Sequence, residues 1–568
     1  RATFECKITV DKNLKAISNG ELVSIKDNKD DTRTYHWREN FAMVSYLISF
    51  VIGDYVKVED NYEDLPVAYW VYPENQNEAL RSFGKTPDML EYFNKLTGVS
   101  YPFEKYDQVI VSEFMWGGME NITLTHNTDR TMHDSKAQPD HSSDGLVAHE
   151  LAHQWYGNMI TTRNWANIWL NEGFATYFSR LYLTKDRGED EGDYIRFNEI
   201  RGFKSADKRK RRPTVDYNYE EPFELFSSHV YAKGSLILNM LHDVLGDDGF
   251  WRSIKHYTAK NKLKNVETVD LKKSIEVTTG QNLDWFFKQW VYEPGFPDYD
   301  VSWTYNQRNK LLSLRVKQIQ DLKTTSLFKM PINVLIDNGT IEEHVIWVED
   351  LDSVFKIHTD KRPKMVVFNS GLKVPSNLKM QKSVSDLKYQ LVNAPNVLDR
   401  IWASQQLSKK KGRKIVEYAL SESAKRDSFW AVRSEAYSSL GKLKTKANQE
   451  DFQWIKNNEK DNRVKRSFIR SLRHQLNDND VSRFLEDIII SDTSYYSIAD
   501  AIRVLSVVDS SKAKDHVAKL LNTESHNDVI RKSALSYYGQ VKTMSNYNRL
   551  KELAEYGKFS WASRSTII

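Results

Sequence analysis

The stretch His149-Glu150-Leu151-Ala152-His153 constrains this chain more tightly than any other. Read as a helix, it sends both imidazoles off one face, because residues four apart stack one turn above another. Two neutral imidazoles at that spacing suit a zinc ion. Glu150, beside the first of them, can reach a water on the metal without binding the metal itself. Eighteen residues after His153 comes Glu172, in the run Trp169-Leu170-Asn171-Glu172-Gly173-Phe174-Ala175, whose spacing predicts a second helix. The fold must therefore bring two helices together at His149, His153 and Glu172. Two His and one Glu leave a fourth coordination position open, which marks a catalytic rather than a structural site. A bare His-Glu-x-x-His also arises by chance in helix-rich chains. Asn171-Glu172-Gly173 at this distance makes the metal reading specific.

A chain of 568 residues exceeds one core, and the length predicts three to five domains. Residues 1–64 read as β-structure: Phe4, Cys6, Ile8 and Val10 alternate with polar residues, and Ser18-Asn19-Gly20 signals a turn. Residues 65–298 change character. Strands near Val67–Tyr72 and Gln108–Ser112 precede the helical runs that carry the metal motif. Residues 299–373 return to strands, with Asp337-Asn338-Gly339 as a hairpin turn between Val334-Leu335-Ile336 and His344-Val345-Ile346-Trp347. Residues 374–568 repeat. Arg400-x-x-Ala403-x-x-x-Leu407 aligns with Arg433-x-x-Ala436-x-x-x-Leu440, and weaker copies start at Arg466, Ile498, Arg531 and Arg564. A period of 32–33 residues with helical apolar spacing predicts stacked helix pairs, an α-solenoid of HEAT-like type; an ordinary helical bundle is the plainer alternative.

The charge balance narrows the partners. With 81 basic against 77 acidic residues the net charge is +4, which gives no argument for nucleic acid or a membrane surface. The sharpest basic cluster, Lys208-Arg209-Lys210-Arg211-Arg212, reads as a solvated loop near the cleft. Cys6 is the single cysteine, so no intrachain disulfide forms and the redox compartment stays open. No apolar run reaches the length of a membrane span; the longest, Phe41 to Gly53, reads as strand. No signal peptide is visible, and the chain opens directly in a strand, the pattern of a fragment. The compartment, cytoplasmic or periplasmic or secreted, is not legible here.

Two further stretches bear on the chemistry. In Trp116-Gly117-Gly118-Met119-Glu120-Asn121, paired glycines let the backbone approach a ligand, and the carboxylate either binds a cation or is a surface group on a plain loop. In Val230-Tyr231-Ala232-Lys233-Gly234, ahead of the helical run Ser235 to Leu245, the tyrosine is either a core aromatic or a donor into the site.

These motifs, in this order and spacing, resemble the aminopeptidase N family of zinc metallopeptidases, the gluzincin type. Its signatures are Gly-x-Met-Glu-Asn, then His-Glu-x-x-His with a Glu eighteen residues on, then a tyrosine shortly before Lys-Gly. Gly98-Val99-Ser100-Tyr101-Pro102 and Lys105-Tyr106-Asp107 also fit, and the likeness is strong over residues 1–300. The resemblance implies a multidomain α+β protein: the remainder of an N-terminal β domain, a thermolysin-like α/β catalytic domain, a β-sandwich and HEAT-like repeats. It implies one zinc per chain on His149, His153 and Glu172, with Glu150 as general base and Tyr231 as donor to the oxyanion. Glu120 would bind the substrate's free α-ammonium, with Gly117, Gly118, Met119 and Asn121 along the peptide's path. Trp116 stands where the family lines the first side-chain pocket and would limit bulky residues; simple packing is the alternative. The expected activity is zinc-dependent hydrolysis of N-terminal residues from peptides, by a monomer with no nucleic-acid partner.

Two departures bear on this. Gly118 stands where alanine is common; glycine also occurs in the leukotriene-hydrolase branch, but that branch lacks an intervening β-sandwich, and the strands at 299–373 argue against it. The chain also starts just after the point where the family has a second Gln or Glu for the amine. A zinc endopeptidase, differing in whether Glu120 is used, and a binding scaffold that has lost catalysis are the competing readings. The scaffold reading sits poorly with a complete set of ligands, base and tyrosine.

Overall fold

The computed structural model describes residues 1–555 and 557–567. The chain forms two compact units, Arg1–Met132 with Ser143–Gln381, and His133–Ser142 with Lys382–Ile568. The protein is thus multidomain, with mixed helix and sheet, a β-rich beginning and a helical C-terminal region.

The first strand, Ala2–Asp11, buries alternate residues as its sequence predicts, and pairs antiparallel with Thr32–Met43, which carries Glu21–Asp27 on its other side. The apolar run from Phe41 is not one strand: a 3-10 turn at Ser45–Leu47 separates it from the strand Phe50–Gly53. The Ser18–Gly20 turn is a tie rather than a surface loop. Asn19 Nδ2 donates to Ile122 O at 2.6 Å, and Gly20 N donates to Thr123 Oγ1 at 2.7 Å. Gly20 has φ +76, and a Cβ there would strike the Arg38 carbonyl, so only glycine fits.

The central sheet has five strands in the spatial order Val56–Tyr62, Leu65–Val71, Tyr106–Val111, Leu124–Thr128, Gly118–Met119. Leu65–Val71, Tyr106–Val111 and Leu124–Thr128 run parallel and are mostly buried; Leu65–Val71 reads as a near-continuous apolar stretch, whereas the other two also bury polar residues such as Gln108, Thr125 and Asn127. The boundary near residue 64 falls within the hairpin that joins the first two strands. Gly118–Met119 closes one edge, pairing antiparallel with Asn127 and His126. That edge carries Glu120.

The helix Asp144–Ala152 packs on the Gly118–Met119 edge, Trp169–Arg187 packs on that helix, and Ala232–Lys260 packs on Trp169–Arg187 in turn. The last has a break at Gly246, φ +68. Aromatic rings weld them together: Tyr156 stacks on Phe174 at 4.3 Å, and Phe174 on Tyr257 at 5.7 Å. Each is fully buried, and each buried side chain of this size contributes about 1.5–3 kcal/mol of transfer free energy.

Beyond residue 297 two sheets follow. One orders Asp352–His358, Leu311–Gln318, Asp298–Asn306 and Asn377–Met380; the other orders Ile341–Val348, Met330–Asp337 and Met365–Phe368. Tyr299 of the first meets Phe368 of the second edge to face at 5.1 Å. The Asp337-Asn338-Gly339 turn forms as its residues dictate: Gly339 has φ +118 and donates its N–H to Asp337 Oδ1 at 2.9 Å.

The second unit is helical, and the second helix of each pair starts at Val397, Trp430, Asn462, Tyr495, Val529 and Trp561. These helices pack in succession, each on the next. The repeating arginines are clamps. Arg400 bonds Asp427 through two nitrogens at 2.8 and 3.1 Å, and Arg433 bonds Glu459 through two at 3.0 Å. Arg466 bonds Asp500 at 2.7 Å and Asp140 at 3.0 Å. Asp140 lies in the loop His133–Ser142, which is held in this unit by Tyr495 on Asp134 and Ser494 on Asp140 as well. No helix among the described residues is long and apolar enough to cross a membrane.

Candidate metal centre and peptide cleft

His149 and Glu150 lie in the helix Asp144–Ala152, and His153 caps its end in helical conformation. Glu172 sits in the first turn of Trp169–Arg187. His149 Nε2 and His153 Nε2 are 3.1 Å apart, and each lies 3.3 or 3.2 Å from Glu172 Oε2. A tetrahedral cation with bonds of about 2.0 Å has ligand–ligand edges of about 3.3 Å, so the three atoms already have the right triangle. His153 Nδ1 lies 3.0 Å from the Tyr156 carbonyl, which must accept its N–H. This tautomer leaves the Nε2 lone pair for a metal.

Glu120, Glu150 and Glu172 are buried beside two imidazoles. Burial pushes the Glu150 carboxyl up, and the charges of Glu120 and Glu172 push it further. Burial also pushes His149 down toward the neutral form. For His153, burial is outweighed by Glu120 and Glu172, which raise it, and the imidazoles in turn hold Glu172 down against its own burial. Such a set attracts cations.

One cavity of about 690 Å³ opens on these groups. Trp116, Gly117, Gly118, Met119 and Glu120 line it, with His149, Glu150, His153, Glu172 and Tyr231. Asn121 does not: its Nδ2 donates to Leu47 O at 3.2 Å and anchors the segment from behind. Glu120 is aimed by its own backbone, whose carbonyl accepts from Asn158 Nδ2 at 2.7 Å and Gln154 Nε2 at 3.2 Å. A Cβ on Gly118 would meet the end of the Glu150 side chain, so its carboxylate would have to shift to make room. Burial, then the carboxylates of Glu172, Glu120 and Glu150, keep the Tyr231 phenol protonated.

Several wall residues carry no motif. Tyr46, Trp165, Phe223 and Phe226 line the cavity, and Trp116 stacks on Phe223 at 5.9 Å. Tyr46 follows a β-strand in an unremarked turn, and Asn171 Nδ2 donates to its hydroxyl at 3.5 Å. Nothing in its local sequence signals the site. The basic run also departs from a solvated loop. Lys208 and Arg209 end a helix and Arg211 is exposed, but Arg212 is buried and donates to Leu225 O at 2.7 Å.

Two imidazoles and a carboxylate from adjoining helices, beside a sheet edge carrying Glu120, form a group that could hold a metal ion. Residues 81–290 match the peptidase family M1 domain. The chain is 28% identical over 351 residues to a probable aminopeptidase 1 of Saccharolobus solfataricus, covering 60% of this chain and 44% of that protein. It is 31% identical over 283 residues to the endoplasmic reticulum aminopeptidase 1 of Mus musculus, covering 48% of this chain and 30% of that one. The chain thus spans less than half the length of either. Its fold matches the crystal structure of Legionella pneumophila aminopeptidase A in complex with aspartic acid, with TM-score 0.83 and 18% identity, over 100% of this chain and 73% of that one.

Proposed function

We propose that the chain is a zinc-dependent aminopeptidase that hydrolyses N-terminal residues from peptides. The observation that carries the reading is the meeting, in one cavity, of the His149–His153–Glu172 triangle with Glu120, Glu150 and Tyr231. In the same reading residues 1–64 are the remainder of an N-terminal β domain and 65–298 a thermolysin-like catalytic domain. Residues 299–373 are a β-sandwich and 374–568 HEAT-like repeats. The 33-residue spacing of the helix starts at Val397 and Trp430 supports the last.

His149 Nε2, His153 Nε2 and Glu172 Oε2 would hold the zinc, one ion per chain. Bound there, zinc supplies Lewis acidity toward water and the scissile carbonyl. Glu120 pairs its carboxylate with the substrate's α-ammonium, which sets the peptide one residue deep. A substrate without that charge leaves a buried carboxylate unpaired, and such mismatches are strongly rejected. Glu150 takes a proton from the attacking water. The water oxygen bonds the carbonyl carbon, the C–N bond breaks, and Glu150 returns the proton to the leaving nitrogen. Tyr231 donates its O–H to the carbonyl oxygen as that atom gains charge; such a donor is worth about a hundredfold or more in rate. Gly117 and Gly118 present backbone rather than side chains to the peptide.

The test is cleavage of a leucyl anilide and of its N-acetylated form by the zinc-loaded chain, with and without chelator. Rapid, chelator-sensitive cleavage of the free amine only is expected. Equal rates on both substrates would reject the exopeptidase reading, and activity surviving chelation and Glu150→Gln would reject the metal.

A further inference from the structure

Tyr231 caps the helix it precedes, its carbonyl accepting from Ser235 N at 2.9 Å, but its own N–H is bonded outside that helix. Its φ and ψ are −79 and −82, outside the helical region, and the helix begins at Ala232. Its position is set by the turn Ser227–Val230. Val230 N and Tyr231 N both donate to Ser227 O, at 2.9 and 3.3 Å, and Lys233 N donates to Ser228 O at 2.8 Å. Ser227 is therefore the point from which the helix entrance hangs.

Ser227 is itself fixed through its hydroxyl. Arg212 Nη2 donates to Ser227 Oγ at 2.9 Å, and His229 N donates to it at 3.3 Å. Having accepted both, the hydroxyl turns its own proton to His229 Nδ1, 3.1 Å away. His229 then carries its proton on Nε2, which faces Asp207 Oδ1 at 3.4 Å. Asp207 Oδ2 accepts from Arg211 Nε at 2.9 Å. The relay Arg212–Ser227–His229–Asp207 is buried: His229 and Asp207 are each 2% exposed and Arg212 5%. It joins the end of the helix Glu189–Arg209 to the turn. Lys233 Nζ, wholly buried and without a hydrogen-bond partner among the described residues, is pushed down to about 7 by burial, with the Asp207 charge acting the other way.

Surface polar contacts of this kind are dispensable, but a buried relay specifies one geometry, since any broken link strands a polar group out of water. We infer that His229, held by Asp207, is a positioning residue for Tyr231, fixing the Ser227–Val230 turn so that the phenol hydroxyl stands over the cleft. This rests on the reading that Tyr231 donates to the substrate carbonyl. Phe226, immediately before this turn, has its ring 6.4 Å from that of Tyr231.

The experiment compares His229→Leu with His229→Gln, each in the wild-type and Tyr231→Phe backgrounds of the zinc-loaded full chain. Gln keeps an N–H where Nε2 stood; Leu does not. Two readouts are taken: kcat and KM on a leucyl anilide, and calorimetric affinity for the phosphonic acid analogue of leucine, whose tetrahedral oxygens need the phenol but no turnover. His229→Leu is expected to lower kcat and phosphonate affinity by about tenfold or more while KM moves less than about twofold. His229→Gln restores both, and neither variant changes them further in the Tyr231→Phe background. Equal losses in both backgrounds, or a loss that Gln does not restore, would overturn the proposal. Should His229→Leu fail to fold, Ser227→Ala breaks the same relay at its hydroxyl and is judged by the same comparison. A wild type that cleaves nothing rejects the proposed function, and the phosphonate comparison still decides for His229.

Discussion

Gly173 and Gly234 touch backbone to backbone. A Cβ on Gly173 would lie 2.8 Å from the Gly234 Cα, and one on Gly234 would lie 2.7 Å from the Gly173 Cα. Gly173 follows Glu172, and Gly234 follows Tyr231 by three residues, so this crossing brings the helix that carries Glu172 against the helix that the phenol precedes. Neither neighbour is a flexible side chain, so an added methyl must push the helices apart.

The first prediction concerns that crossing. Gly173→Ala is expected to cost about 1–3 kcal/mol through overpacking, and to move Glu172 off the imidazoles. Thermal unfolding with and without added zinc measures both. The variant should melt lower and gain less from zinc than the wild type does. An equal gain from zinc would show that the crossing does not set the ligand triangle.

The convergence of the two imidazoles was legible in the sequence because it depends on spacing within one element. Residues four apart on a helix share a face wherever that helix packs, and His149 and His153 bring their Nε2 atoms within 3.1 Å here. The cavity wall was not legible. Tyr46, Trp165, Phe223 and Phe226 come from three separate loops, and an aromatic in a loop carries no period to mark it. The repeat spacing forecast the helix starts to within a residue or so, but the reason for its arginines lies in a loop some 26 residues on, as between Arg433 and Glu459. The run at 208–212 misled for the opposite reason: charge alone does not tell an exposed Arg211 from a buried Arg212.

The second prediction tests those arginines. Arg433 bonds Glu459 through two nitrogens and the carbonyls of Asp427 and Ser428 through Nη1, and Glu459 is almost wholly buried. Arg433→Ala leaves that carboxylate unpaired and is expected to cost about 3–5 kcal/mol. Arg433→Lys should recover little, since a single ammonium cannot reproduce the fork. Denaturant unfolding followed by Trp fluorescence reads the loss; a Lys variant as stable as wild type would count against the clamp.

The third prediction is a pH effect outside the metal centre. Glu39 is fully buried, accepting from Phe41 N at 2.9 Å and Thr123 Oγ1 at 3.3 Å. Burial, reinforced by the Glu104 charge, pushes its carboxyl up to about 8. The folded chain therefore binds this proton more tightly than the unfolded chain between about pH 4.5 and 8, and stability falls as pH rises through that window. Glu39→Gln keeps the acceptor for Phe41 N and cannot ionise. It should match wild type near pH 5 and exceed it near pH 9 by roughly 3–5 kcal/mol. Melting temperatures of the two proteins across that range check the sign, and parallel curves would refute it.

The fourth prediction concerns the first side-chain pocket. Trp116 is 38% exposed and Phe223 67%, yet their rings stack at 5.9 Å with an interplanar angle of 18°. Two large apolar faces left partly in water at a cavity rim close off space that a substrate side chain would otherwise enter. Phe223 is braced in turn: it lies in the turn Pro222–Leu225, whose Glu221 and Glu224 cap each other's backbone. Trp116→Ala removes half of this gate and leaves Phe223 without its partner. The ratio of phenylalanyl to alanyl anilide cleavage should then rise by about tenfold, the scale on which an apolar pocket discriminates by size. Phe223→Ala should move the ratio the same way, and the double variant should add little, because either truncation opens the same gap. An unchanged ratio in Trp116→Ala would reduce the stack to packing.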